Sequence, residues 1–99
     1  MAEEETAELQ EKVLHYHSLT EAALKKVSIK KGLSAKEKKI AADFLEMAKN
    51  YFSDAKHFEE KGELATALAA FSYAHAWLDA GVRAKLLDGK NDDKLFTLP

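Results

Sequence analysis

Cysteine is absent from the 99-residue chain, Pro99 is its only proline, and glycine occurs four times. Without cysteine, the chain can form no disulfide, no thiolate-bound zinc site and no cysteine nucleophile. No stretch approaches the ~18 apolar residues of a membrane-spanning helix, and the acidic N-terminus lacks the apolar run of a signal peptide. We therefore expect a soluble, cytoplasmic protein that does not contact membranes.

Catalytic and metal-binding patterns are also missing. The sequence has no glycine-rich phosphate loop and no G-x-S-x-G motif. Asp54 and His57 have the acid-x-x-His spacing of di-metal bundles, but a second such motif is lacking. His15 and His17 are two residues apart, so they cannot share one helical face. We expect no enzymatic activity, no cofactor and no metal site.

The chain also lacks a large net charge. The net charge of −2 gives no global attraction to nucleic acid or to an anionic membrane. A charged fraction of 32% is typical of a well-solvated surface. The length suits one domain, residues 1–99, with a single core.

Alanine, by contrast, is abundant: there are seventeen, eight of them within residues 65–84. Alanine favours helix, and apolar residues recur at the three- and four-residue spacing of amphipathic helices. The spacing predicts helices over about residues 6–30, 34–61 and 63–87, followed by a tail over 88–99. Short loops require neighbouring helices to run antiparallel. The predicted fold class is all-α, an antiparallel three-helix bundle with a short C-terminal tail.

Local signals mark the helix boundaries. Ser34 and Glu37 form a capping box at the start of the second helix. Gly32, Gly62 and Gly89 are expected to end the three helices in turn. The second helix is expected to bury one stripe of residues: Ile40, Phe44, Met47, Ala48, Tyr51, Ala55 and Phe58.

The third helix is apolar on two sides, which is typical of a central helix or of half an interface. Its candidate interaction surface consists of Tyr73, Trp77, Gly81 and Ala84. Gly81 within a helix costs about 1 kcal/mol relative to alanine, and the close approach of another backbone is the expected compensation. Two interpretations stay open, because either the first helix covers this surface or a partner protein does.

His75, Asp79 and Arg83 are four residues apart and form a candidate polar seam on the same helix. Side chains at this spacing can meet, so a buried chain of hydrogen bonds from His75 through Asp79 to Arg83 is one interpretation. The other is a small-ligand site in which Arg83, the only arginine, binds an anion and His75 is a titrating donor.

Seven lysines and one acid, Glu37, lie in the link between the first two helices. This lysine link is either a solvated connection or a patch that binds anions or nucleic acid through phosphate contacts. It lacks arginine and interleaved aromatic residues, which weighs against nucleic acid. The candidate anion patch consists of Lys25, Lys26, Lys30, Lys31, Lys36, Lys38 and Lys39.

Two resemblances extend this picture. The spacing of Gly62, Ala67, Leu68, Phe71 and Ala74 resembles the helical hairpin of one tetratricopeptide repeat, which implies a tight antiparallel hairpin. The stretch "ADFLEMAKNYFSDAKHFEEKGELATALAAFSYAHAWLDAGVR", followed by "DDKLFT", resembles the archaeal family known as domain of unknown function 357. That resemblance implies a small archaeal all-α protein and no catalytic or binding residues.

The leading hypothesis is a non-enzymatic protein that acts through contact with a protein partner or as a homodimer. Anion or nucleic-acid binding through the lysine link is the alternative. A small-ligand site at the polar seam is the third hypothesis.

Overall fold

The computed structural model describes residues 2–99, with side chains from residue 4 onward. It contains three helices, α1 (Ala2–Lys26), α2 (Ala35–Glu60) and α3 (Leu64–Arg83), and two short strands, β1 (Ser28–Ile29) and β2 (Leu87–Asp88). α2 and α3 form a closely packed hairpin, and α1 packs mainly against α3. The predicted all-α three-helix bundle is confirmed. No helix within residues 2–99 is long and apolar enough to cross a membrane.

The ends of α2 follow from local sequence as predicted. The Ser34 hydroxyl accepts a hydrogen bond from the Glu37 N–H at 3.1 Å, and the Glu37 carboxylate accepts one from the Ser34 N–H at 3.0 Å. This capping box satisfies two of the free N–H groups at the helix start. At the other end Gly62 has φ +78°, and the N–H groups of Gly62 and Glu63 donate to the carbonyls of Glu59 and Phe58. These two bonds form a Schellman motif, so Gly62 ends α2.

α1 ends four residues before the predicted boundary because a strand follows it. Ser28 and Ile29 pair antiparallel with Asp88 and Leu87. Gly32, with φ +81°, lies in the turn after β1 and does not cap α1 as predicted. A two-residue strand is too short to show the alternating pattern of a strand. The sequence around it therefore showed only the helical spacing.

α3 also ends four residues early, and the residue that ends it is not the predicted Gly89. The N–H groups of Lys85 and Leu86 donate to the carbonyls of Val82 and Gly81 at 3.1 and 3.0 Å. This is a second Schellman motif, with Lys85 in the left-handed position at φ +61°. Glycine usually occupies this position because it has no Cβ, so the motif was not visible in the sequence.

Small residues hold α2 against α3. On each helix, three buried small residues repeat every seven positions, and the two series run in opposite directions. The ring pairs Phe44–Trp77 and Tyr51–Tyr73, with centroids 5.0 and 4.4 Å apart, place the two series side by side. Residues without bulky side chains allow two helices to approach closely. The two series are Ala41, Ala48 and Ala55 on α2, and Ala67, Ala74 and Gly81 on α3.

The buried stripe of α2 is therefore rotated from the predicted one. Ala48 and Ala55 are buried as predicted, but Ala41 and Phe52 are buried in addition. Ile40 is 39% exposed instead of buried. The alanine series faces α3, and the rings of Phe44, Tyr51 and Phe52 pack against α3 beside it.

The core has two parts, and α3 contributes to both. One part contains Phe52 and Phe71 with Val13 of α1, and the other contains Leu78 and Val82. Residues 84–99, the C-terminal segment, complete the second part with Leu87 and Phe96, which are 1% and 3% exposed. α3 is thus the central helix, and the predicted tail is part of the packed structure.

Candidate functional site

The polar seam of α3 binds the C-terminal segment. His75 Nε2 donates to the carbonyl of Leu95 at 2.7 Å. Asp79 Oδ1 accepts from the N–H of Thr97 at 2.8 Å, and Arg83 Nη1 donates to the carbonyl of Leu98 at 2.8 Å. His75 Nε2 lies 3.8 Å from Asp79 Oδ1, too far for the predicted hydrogen bond. Asp79 and Arg83 bind the C-terminal backbone in place of the predicted bond between them.

The spacing of the seam explains this arrangement. Four residues of helix advance about 6 Å, and two residues of extended chain advance about 6.6 Å. The step from His75 to Asp79 therefore matches the step from Leu95 to Thr97. The side chain between them, Phe96, turns inward and stacks at 6.5 Å on the His75 ring.

His75 has no free ring nitrogen. A carbonyl can only accept, so the bond to Leu95 requires the proton to be on Nε2. Nδ1 then accepts from the hydroxyl of Thr20 on α1 at 3.1 Å. His75 and Thr20 are 8% and 0% exposed. The imidazole joins α1, α3 and the C-terminal segment, which is the arrangement of a satisfied core histidine.

A shallow cavity of ≈ 250 Å³ lies beside the seam, between α1 and the C-terminal segment. Tyr16, His75 and Asp79 form part of its wall. The seam groups that could bind a ligand here, His75 and Asp79, already bind the backbone of residues 95–97. The geometry therefore favours the structural interpretation of the seam over the small-ligand one.

The other histidines and acids do not converge on a metal site. Among the residues whose side chains the structure describes, no three His, Asp or Glu side chains come together as a possible ligand group. His17 Nδ1 instead contacts Glu59 Oε1 at 2.7 Å, and its ring stacks at 5.0 Å on Phe71. This contact joins α1 to α2. The sequence does not reveal it, because the two residues are 42 positions apart.

The lysine link lies in one half of the bundle, together with other basic residues. Residues 25–40 and 83–99, the basic half, contain eleven lysines and arginines against four acids, a net charge of +7. The remaining residues, the acidic half, contain four basic residues against thirteen acids, a net charge of −9. The two values sum to the −2 of the whole chain. The near-neutral net charge therefore conceals an uneven distribution of charge along a molecule that is 52 Å in its longest dimension.

Two aspartates of the C-terminal segment hold part of the basic half in place. Lys26 Nζ donates to Asp92 at 2.8 Å, which together with the N–H groups of Leu95 and Lys94 lowers the pKa of the Asp92 carboxyl. The N–H of Lys90 likewise lowers the pKa of Asp88. Lys30 also lies close enough to Asp88 to lower the pKa of that carboxyl. The lysines at 30, 31, 36, 38 and 39 are all exposed.

α3 presents an uncharged surface to solvent on the side away from the C-terminal segment. Residues 64–78 contain no Asp, Glu, Lys or Arg. Five exposed positions alternate at spacings of three and four residues, the pattern of a coiled-coil seam. These five residues, the open face, are Thr66, Ala69, Tyr73, Ala76 and Ala80.

Aromatic side chains from α2 border the open face. Tyr73 is 47% exposed and packs edge-on against Tyr51, and the half-buried Trp77 packs edge-on against Phe44. Two grooves meet at Tyr73. One, of ≈ 230 Å³, is lined by α3 alone, and the other, of ≈ 480 Å³, lies between α2 and α3. Phe44 of α2 covers part of Trp77, which is half-buried.

The other two residues of the predicted interaction surface lie elsewhere. Gly81 is buried, and a Cβ added there would come within 2.7 Å of Leu87 Cγ. The missing side chain of Gly81 thus makes room for the side chain of Leu87, and not for another backbone as predicted. Ala84 is exposed but forms the C-cap of α3, beyond the open face.

The chain can now be compared with known proteins. The family model described as "Protein of unknown function (DUF357)" matches residues 15–87. This match begins within α1, earlier than the resemblance that starts near Ile40, and ends at β2, before residues 95–97. No curated protein and no solved structure matches the chain. Because the matched range covers most of the sequence, the chain belongs to the DUF357 family, whose function is unknown.

Proposed function

We propose that this protein is a non-enzymatic interaction module and that a protein partner binds the open face of α3. The observation that carries the proposal is the absence of charge from five exposed positions over four helical turns. Protein surfaces typically carry ~25–35% charged residues, and α1 and α2 follow that pattern. A helix that is apolar all round is normally buried. Contact with a partner would bury the exposed side of α3.

The aromatic residues support the same proposal. Tyrosine and tryptophan are enriched among the residues that contribute most to binding. Tyr73 and Trp77 are already held by Tyr51 and Phe44. Because these rings lose little freedom on binding, a partner gains their buried area at low entropic cost.

A non-enzymatic role is supported by the use of the polar seam. His75, Asp79 and Arg83 are the candidate ligand-binding groups of the sequence, and all three bind the C-terminal segment. An archaeal source and a cytoplasmic location belong to the same proposal, and rest on the family resemblance and on the lack of cysteine.

Site-specific photo-cross-linking tests the proposal. The chain has no cysteine, so Ala76→Cys can be labelled selectively with a benzophenone maleimide and illuminated in an extract of the native cells. Ser18→Cys, an exposed position on α1, is the matched control. We expect an adduct of defined mass at position 76 that is absent at position 18, either with a second copy or with another protein. Equal, diffuse labelling at both positions would refute a binding role for the open face.

A second candidate function is anion binding by the basic half. The observation that favours it is the addition of Arg83, Lys85, Lys90 and Lys94 to the seven lysines of the link. A test is the anisotropy of a labelled oligonucleotide at increasing salt, since phosphate contacts weaken steeply as salt rises. Replacement of Lys30, Lys31, Lys36 and Lys38 by glutamine should abolish the binding. Affinity that is unchanged by both salt and substitution would exclude this function.

A further inference from the structure

We infer that the partner of the open face is a second copy of this chain, packed antiparallel through α3 as a two-fold dimer. This inference rests on the proposed function and adds the identity and the orientation of the partner. Three observations support it: the heptad spacing of the open face, the symmetry of that face about Tyr73, and the segregation of charge along the bundle.

The heptad spacing indicates a helix as the occupant. Alternating spacings of three and four residues keep a straight apolar seam facing a second helix. α3 already uses such a seam inside the molecule, where its small residues approach those of α2. The open face repeats the same pattern on the exposed side, with Ala69, Ala76 and Ala80 as its small residues. A helix that carries the same pattern is a fitting partner, and α3 of another copy is such a helix.

The symmetry of the open face also indicates a second copy of this chain as the partner. In a two-fold interface the same residues contribute from both sides, so the surface must be self-complementary. Thr66 and Ala80 are each seven residues from Tyr73, and Ala69 and Ala76 are four and three residues from it. Small side chains therefore flank Tyr73 on both sides, and a two-fold axis near Tyr73 would bring small residues of one copy against those of the other.

Charge decides the orientation. An antiparallel arrangement about Tyr73 lays residues 19–50 and 74–99 of one copy, with twelve basic and eight acidic residues (net +4), beside residues 4–18 and 51–73 of the other, with three basic and eight acidic residues (net −5). A parallel arrangement would lay parts with the same sign of charge beside each other, and these would repel. Glu63 and Arg83 illustrate the match, since both are exposed and lie ten residues on either side of Tyr73. The antiparallel register brings Glu63 of one copy near Arg83 of the other.

Light scattering coupled to gel filtration is the first test. We expect a mass of twice 11.0 kDa at micromolar concentration, and an apparent dissociation constant that rises several-fold with salt, because salt screens the charge attraction. Ala69→Glu places a charge at the centre of the open face and should give a monomer. Ser18→Glu on α1 is the control and should remain dimeric. Circular dichroism checks that both variants keep their helices.

Thiol cross-linking tests the orientation. In the antiparallel dimer Thr66→Cys of one copy lies near Ala80→Cys of the other, whereas two copies of Thr66→Cys are about 21 Å apart along the helix axis. A short bifunctional thiol reagent should therefore link a mixture of the two variants and should not link either variant alone. Linkage of each variant to itself would show a parallel dimer and overturn the inference.

The outcomes separate this inference from the proposed function. A strict monomer at all concentrations, together with a specific benzophenone adduct to a different protein at position 76, would overturn the second-copy inference and leave the interaction module standing. A strict monomer with no specific adduct at position 76 would overturn both. A dimer that survives Ala69→Glu would place the interface elsewhere and would also overturn the inference.

Discussion

The contact between Gly81 and Leu87 leads to a prediction about Gly81→Ala. Its effect on stability should change sign when Leu87 is also replaced. Replacing Gly81 with alanine in the last turn of α3 should by itself stabilise the helix by up to about 1 kcal/mol. The new Cβ, however, would lie 2.7 Å from Leu87 Cγ, closer than carbon atoms approach each other. Leu87 is 1% exposed and is held by its pairing with β1, so it has little room to move. Overpacking of this kind typically costs ~1–3 kcal/mol.

Gly81→Ala should therefore lower the free energy of unfolding of the natural protein by up to about 2 kcal/mol, the overpacking cost less the helix gain. Leu87→Ala alone removes a buried leucine side chain and should cost about 2–5 kcal/mol. In the Leu87→Ala protein the clash is gone, and the new methyl group fills part of the vacated space. There Gly81→Ala should stabilise by about 1 kcal/mol.

The measurement is a double-mutant cycle by urea or thermal denaturation of the four proteins. The expected coupling between the two positions is about 1–3 kcal/mol, as for residues in direct contact. The same change in stability for Gly81→Ala in both backgrounds would contradict this account of the glycine. Destabilisation in both backgrounds would mean that another surface, and not Leu87, requires the missing side chain.

Two further predictions concern the ends of the helices, and a third concerns Asp92 in the C-terminal segment. Lys85→Gly should raise the free energy of unfolding by about 1 kcal/mol, because glycine adopts the left-handed conformation without strain; no change in the thermal midpoint would contradict this. Ser34→Ala should lower stability by about 1 kcal/mol through loss of the capping box, measured by urea denaturation with Ala35→Ser as the control. The lowered pKa of Asp92 stabilises the folded chain above the ordinary aspartate pKa near 3.8, and this contribution is lost as the pH falls through the lowered value. The amide of Leu95 should then exchange faster in acid; unchanged exchange would contradict the role of Asp92.

The helical bundle was predictable because its signals are local. The capping box at Ser34 and the left-handed Gly62 use residues within one helical turn, and the amphipathic spacing extends over the whole of each helix. The rotation of α2 could also have been found. The seven-residue repeats of small residues through Ala48 and Ala74 are visible in the sequence, but large apolar residues beside them gave a stronger signal.

The C-terminal segment was predicted less well because its contacts are distant in sequence. His75, Asp79 and Arg83 bind backbone groups 15–20 residues away, and a backbone group leaves no trace in the amino-acid sequence. The strand pair joins residues 58 and 60 positions apart. Lys85 in a left-handed cap contradicts the usual preference for glycine, so the end of α3 was misplaced.

The candidate sites, too, were predictable only where their contacts are local in sequence. Tyr73 and Trp77 lie side by side on α3, as their spacing predicts, but the sequence could not show that rings of α2 cover part of them. It identified the lysine link but not the basic residues that join it, because those come from the far end of the chain. The burial of Gly81 depends on Leu87, which belongs to a strand that the helical spacing concealed.

The position of β2 and Phe96 in the core sets an order for folding. The hairpin of α2 and α3 involves contacts between residues near in sequence, and such contacts form quickly. The second half of the core, around Leu78 and Val82, stays open to solvent until residues 87–96 are synthesised and fold back onto β1. The lysine link therefore spends the synthesis of more than fifty residues without its strand partner. A nascent chain of this protein would present an unfinished core to chaperones until its C-terminal segment emerges.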